Sequence, residues 1–184
     1  MKYYDKFFIL GIVLITLLSS LQAFGQGRGD DSYILGSGDR ISISVFGEDD
    51  LSTDVVIPDT GKIKYPFIGE LQVAGLTIFE LDKRITLRLK GPYLVNPEVI
   101  VSIKEYRPFY VHGEVNAPGG FQYRPGLSVQ HAVALAGGFT NRAARDKITV
   151  VRAGQRGNKY NSVPVKLNDS VKAGDLITVE RSFF

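Results

Sequence analysis

An α+β fold of two small mixed domains is what this sequence predicts, on three observations. Ile41, Ile43 and Val45 alternate strictly with Arg40, Ser42 and Ser44, the period-two pattern of a half-buried strand. Ile78, Leu81, Ile85 and Leu89 recur at helical spacing and form one apolar stripe. Each half of the chain then runs through strand, turn, strand, helix and strand, although no sequence segment repeats exactly.

In the first domain, expected over residues 32–106, Gly36-Ser37-Gly38-Asp39 makes a tight turn ahead of the alternating strand. Pro58-Asp59-Thr60-Gly61 is a second turn, and Ile63-Lys64-Tyr65-Pro66-Phe67-Ile68-Gly69 a short extended run. Glu70-Leu71-Gln72-Val73 reads as a short strand that stops at Ala74-Gly75. Thr77 and Glu80 have capping-box spacing: the hydroxyl can accept from the third amide of a helix, and the carboxylate can reach back to the amide of the cap. Gly91-Pro92 ends that helix, since glycine suits the residue after the cap and proline lacks a donor. Asn96-Pro97 turns the chain into residues 98–106, where Val99, Val101 and Ile103 oppose Ser102 and Lys104.

The second domain is expected over residues 107–184. Residues 109–115 form a strand, Asn116-Ala117-Pro118-Gly119-Gly120 a turn, and residues 121–123 the returning partner. Ser128 caps a short helix with Val129, Ala132, Val133 and Ala136 inward, and Gly137-Gly138 stops it. Residues 147–152, 160–165 and 175–181 supply three further strands.

With 184 residues, 44% apolar and 22% charged, the chain can bury a globular core. A net charge of +3 without a dense basic patch argues against a nucleic-acid partner. The absence of cysteine excludes disulfides, thiolate metal sites and a lipoprotein anchor. The N-terminus has the form of a secretory signal: Lys2 and Lys6, an apolar run over residues 7–18, then Ala23-Phe24-Gly25 with small residues at −3 and −1 of a cut before Gln26. That run is shorter than the roughly 20 residues that cross a bilayer. Residues 1–25 are thus expected to be removed, with an uncleaved anchor as the other reading, and residues 26–31 to form a mobile leader.

The order strand, turn, short strand and Pro66-Phe67-Ile68-Gly69 resembles the polysaccharide export sequence of bacterial outer-membrane polysaccharide exporters. The second half resembles their usual companion, the soluble-ligand-binding β-grasp domain. It does so through Val111-His112-Gly113-Glu114-Val115 with Pro118-Gly119, the helix after Ser128, Gly137-Gly138-Phe139-Thr140, Ala143-Ala144 and the closing run 171–179. In Pro58-Asp59-Thr60-Gly61 a threonine separates the Asp and Gly that many relatives have adjacent. The resemblance implies a β-grasp-like second domain.

No catalytic, cofactor or metal constellation emerges. His112 and His131 lack convergent carboxylate partners. Asp49 and Asp50 adjoin each other on a polar loop, whereas a glycosidase pair faces across about 5–9 Å. Gly36-Ser37-Gly38 and Gly137-Gly138 lack the lysine and hydroxyl of a phosphate loop, so backbone geometry is their expected role. The candidate contacts to polymer or partner are basic: Arg84, Arg88 and Lys90 (with Lys83) off the helical stripe, and Arg142 and Arg145 (with Lys147) after Gly137-Gly138.

The resemblance implies a non-enzymatic periplasmic conduit or adaptor for capsular polysaccharide or exopolysaccharide. It implies a ring-like homo-oligomer with an inner-membrane polysaccharide co-polymerase on one side. Since Ser182-Phe183-Phe184 follows the last strand, no membrane-crossing helix is expected, and a separate outer-membrane protein such as a β-barrel is the expected second partner. The alternative is a monomeric periplasmic module that captures a glycan or small ligand. A glycan-modifying enzyme would need convergent acid and base groups.

Overall fold

The computed structural model describes residues 33–153 and 160–182, so the expected signal and leader lie outside the described residues. The described chain is α+β, with two helices and ten strands in three sheets. Its buried apolar residues form two cores, one drawn from residues 35–101 and the other from residues 109–179.

The first core is built on strand β1 (Arg40–Val45), whose Ile41, Ile43 and Val45 are buried as the alternation requires. β1 lies between the antiparallel strands β2 (Thr53–Val56) and β5 (Val99–Glu105). Strands β3 (Lys62–Tyr65) and β4 (Gly69–Gln72) form a separate antiparallel hairpin that gives Ile63, Tyr65 and Leu71 to the core. Helix α1 (Ile78–Leu89) packs on β5 through Leu81, Ile85 and Leu89. Its Thr77–Glu80 capping box is formed in both directions. Strand β2 was not expected; it is a short, mostly exposed edge strand that gives only the partly buried Val55 to the first core, too little to show an alternation.

The second core has the strand order β7-β6-β10-β8-β9, with β10 parallel to β6 and every other neighbour antiparallel. Helix α2 (Val129–Leu135) lies in sequence between the first hairpin and the later strands, which makes this a β-grasp. Strand β6 spans Phe109–Gly113, β7 Gly119–Phe121, β8 Ala143–Ala153, β9 Tyr160–Val165 and β10 Leu176–Arg181. Three strands depart from expectation by two or more residues. Gly119 and Gly120 belong to β7 and not to the turn, so the pairing with β6 involves residues 119–121 and not 121–123. The glycine is used for space: a Cβ on Gly120 would stand 3.0 Å from the Tyr110 ring. β6 ends at Gly113, at φ 87, where a Cβ would meet the Val179 carbonyl of β10. β8 begins at Ala143, four residues before the alternating Lys147 run.

Candidate functional site

The densest polar cluster lies where the two cores meet. Gly38, at φ 91, turns the chain so that the Asp39 side chain points inward, fully buried. The Asp39 carboxylate accepts from the Gly36 amide at 2.8 Å and from the Tyr33 hydroxyl at 2.8 and 2.9 Å. It also accepts from the Arg107 amide at 2.8 Å and from Arg107 Nη1 at 2.7 Å. Arg107 Nη1 reaches the Tyr33 hydroxyl as well, at 3.0 Å. Burial pushes the Tyr33 hydroxyl far above its ordinary range; Arg107 works against that shift and Asp39 reinforces it. Tyr33, Tyr106 and Tyr123 close around the cluster, with edge-on contacts at 4.8 and 5.4 Å between centroids.

The second unit repeats the device. Gly174, at φ 83, precedes Asp175, whose carboxylate accepts from the Lys172 amide at 2.8 Å and from Arg152 Nε and Nη2 at 2.9 Å. In both turns the amide three residues before the aspartate caps the carboxylate, and an alternating strand follows. Arg107 lies between the two turns: a Cβ on Gly36 would meet its guanidinium, and one on Gly174 would stand 3.0 Å from its Nε. Each buried carboxylate is thus saturated with donors and faces an arginine, an arrangement for holding shape and not for moving protons. The Gly36-Ser37-Gly38 turn does hold an anion, the chain's own Asp39.

The other sequence candidates are dispersed. His131 accepts from the Ser128 amide at 3.2 Å and completes the cap of α2, and His112 is exposed on β6. Asp49 and Asp50 are exposed in a one-turn 3-10 helix. No group of three or more His, Asp or Glu side chains able to hold a metal occurs among the described residues. Arg84 and Arg88, both exposed, sit one turn apart on a flank of α1, while Lys90 is the cap beyond its last turn. Arg142 and Arg145 are exposed at the start of β8, on the other unit, and the Arg145 guanidinium lies 5.6 Å from the Phe139 ring centre. The structure keeps the helical group and the β8 group on separate units.

Sequence reading placed Phe67 in the Pro66-Phe67-Ile68-Gly69 motif but did not single out the exposed Phe79, Leu87 or Tyr93. Phe79 and Leu87 are 65% and 64% exposed. They lie on the outer face of α1 with Lys83 between them, since residues four apart share a helix face. Phe67 and Tyr93 are stacked at 5.0 Å and are both exposed. An open groove of about 660 Å³ runs between the β2 edge and the β3–β4 hairpin, lined by Val55, Val56, Pro58, Lys62, Lys64 and Glu70 among others. Phe79, Leu87 and Tyr93 interrupt or lie outside the periodic patterns and carry no motif of their own.

The model of the family described as polysaccharide biosynthesis/export protein matches residues 28–104, and that of the SLBB domain matches residues 108–163. Similar proteins include the exopolysaccharide production protein ExoF of Rhizobium meliloti, 31% identical over 73% of this chain and 36% of its own length. The polysialic acid transport protein KpsD of Escherichia coli is 30% identical over 78% of this chain and 25% of its own. The EPS I polysaccharide export outer membrane protein EpsA of Ralstonia solanacearum is 29% identical over 68% of this chain and 35% of its own. The chain thus spans about a quarter to a third of the length of these relatives.

Proposed function

This chain belongs to the polysaccharide biosynthesis/export protein family, and on that premise we propose that it is a non-enzymatic component of a capsular polysaccharide or exopolysaccharide export complex. The observation that carries the reading is the succession of an export-type domain and an SLBB domain in one chain, shared with relatives named for export and transport. Among the described residues both buried aspartates are paired with arginine, Asp39 with Arg107 and Asp175 with Arg152.

In this reading the chain works in the periplasm, joined to the outer membrane through a separate protein and to an inner-membrane co-polymerase on the other side. None of the described helices is long and apolar enough to cross a membrane. Copies associate into a ring, and the outer face of α1 is where they touch. Phe79 and Leu87 give that face apolar area, and Lys83, Arg84 and Arg88 give it charge. A polymer conduit works best with weak, distributed contacts, because a tight sugar site would stall movement.

The test is deletion of the gene. Surface polymer should vanish while polymer or lipid-linked intermediates persist inside the envelope, and Asp49→Asn should restore export fully. Undiminished surface polymer in the deletion strain would sink the export role, and a well-folded Asp49→Asn that fails to restore export would sink the non-enzymatic one.

A further inference from the structure

The tip of the β3–β4 hairpin carries the one non-glycine residue with positive φ among the described residues, Phe67 at φ 60. The turn is three residues long and is closed by the Ile68 amide on the Pro66 carbonyl at 2.7 Å. Turns of that size with a positive φ at the centre are rare and strained, and a bulky side chain there is more strained still. The strain brings the core nothing. Ile68 packs against the first core, whereas the Phe67 ring stays outside it and is 65% exposed. What the conformation achieves is to hold an aromatic ring out in solvent.

That ring is held in place. Tyr93 stacks on it with 27° between planes and donates its hydroxyl to the Phe67 carbonyl at 3.1 Å. Tyr93 is itself anchored, its amide bonding the Leu89 carbonyl at the end of α1 at 3.2 Å. Two elements far apart in sequence thus converge on one stacked, half-open aromatic pair. The hairpin positions just behind it, Lys64 and Glu70, are exposed and polar.

The geometry points to a stacking platform for the pyranose rings of a glycan, formed by Phe67 and Tyr93. The inference rests on the export reading for the identity of the glycan. A pyranose presents a face of C–H groups rimmed by hydroxyls, which suits a rigid aromatic face set among polar side chains. Two aromatic side chains bring at most about 150–250 Å² each, far less than the ~800 Å² per partner of a stable protein interface but enough for one or two sugar rings. Stacking tolerates different sugars and releases readily, as a moving polymer requires.

The discriminating substitution is Phe67→Gly. Glycine accepts a positive φ freely, so this change relieves the backbone while it removes the ring. The test is an NMR titration of the full mature protein, carrying labelled Phe and Tyr, with cellotetraose and with oligosaccharides hydrolysed from the strain's own surface polymer. Both rings should show saturable shifts. Phe67→Gly should weaken binding at least about tenfold, equivalent to about 1.4 kcal/mol, with a melting temperature equal to or above wild type. Tyr93→Phe, which keeps the ring and loses only the hydroxyl, should weaken binding less.

The platform is overturned if neither probe shifts the two rings at millimolar concentration, or if Phe67→Gly binds as tightly as wild type. It is also overturned if Phe67→Gly lowers the solution mass of the protein while sugar binding persists, since the pair would then be a contact between copies. The two readings fail separately. Surface polymer that survives gene deletion sinks the export role whatever the titration gives. A silent titration in a strain whose deletion abolishes the polymer sinks the platform alone.

Discussion

Without the Arg107 guanidinium, the Asp39 carboxylate is left buried among hydroxyl and amide donors with no counter-charge. Arg107→Ala is expected to cost about 3–5 kcal/mol in urea unfolding, the usual penalty for breaking a buried pair from one side. A loss below about 1 kcal/mol, the usual worth of an exposed pair, would show that the pair is solvated. A second test uses glycines that differ in their surroundings. Gly113→Ala drives a Cβ into the Val179 carbonyl and should prevent β10 from pairing with β6, seen as loss of the cooperative transition of the second unit. Gly91→Ala has the same kind of positive φ but meets nothing within 4 Å, so only the conformational cost of about 1–2 kcal/mol is expected. None of this was legible beforehand. Asp39 and Arg107 are 68 residues apart, and a pairing at that distance leaves no local pattern.

Local patterns were readable wherever one face of an element meets the core. The alternation of β1 fell on buried residues, and so did the stripe of α1 apart from the partly buried Ile78 in its first turn. Ile43→Asp should therefore unfold the first unit, by placing an unpaired charge in its core, whereas Ser44→Asp on the open face should cost well under about 1 kcal/mol by thermal denaturation. Equal losses would contradict the orientation of the strand. Thr77→Ala removes one half of a formed capping box and should cost about 1 kcal/mol. Sequence reading failed where the pattern was absent or ambiguous. β2 is an edge strand that commits only Val55 to the core, and Gly119-Gly120 has turn composition but is placed in β7 to admit the Tyr110 ring. The second capping box uses His131 in the place where the usual rule looks for Glu or Gln.

For the whole molecule, the order of the two units was legible because each carries turn and strand motifs in a fixed succession. The surfaces were not, since exposed side chains obey no period. The proposed association of copies through α1 gives a direct test. Phe79→Lys with Leu87→Lys should reduce the solution mass of the mature protein toward one chain, with an unchanged circular dichroism spectrum. An unaltered oligomer would move the contact elsewhere, and a wild-type protein that is already monomeric would favour the glycan-capturing module over the conduit.

The paired glycine–aspartate turns with Arg107 wedged between them also bear on mechanics. A flexible waist would let each half swing, so that any larger structure made from the chain would have to impose its own bend. Here one guanidinium, held on one side by Asp39 and lying close to Gly174 on the other, ties the two halves together. In the proposed ring, curvature would then be a property of the brick and not of the arch. In the proposed conduit, force applied to one half would then arrive at the other as torque instead of being lost in slack.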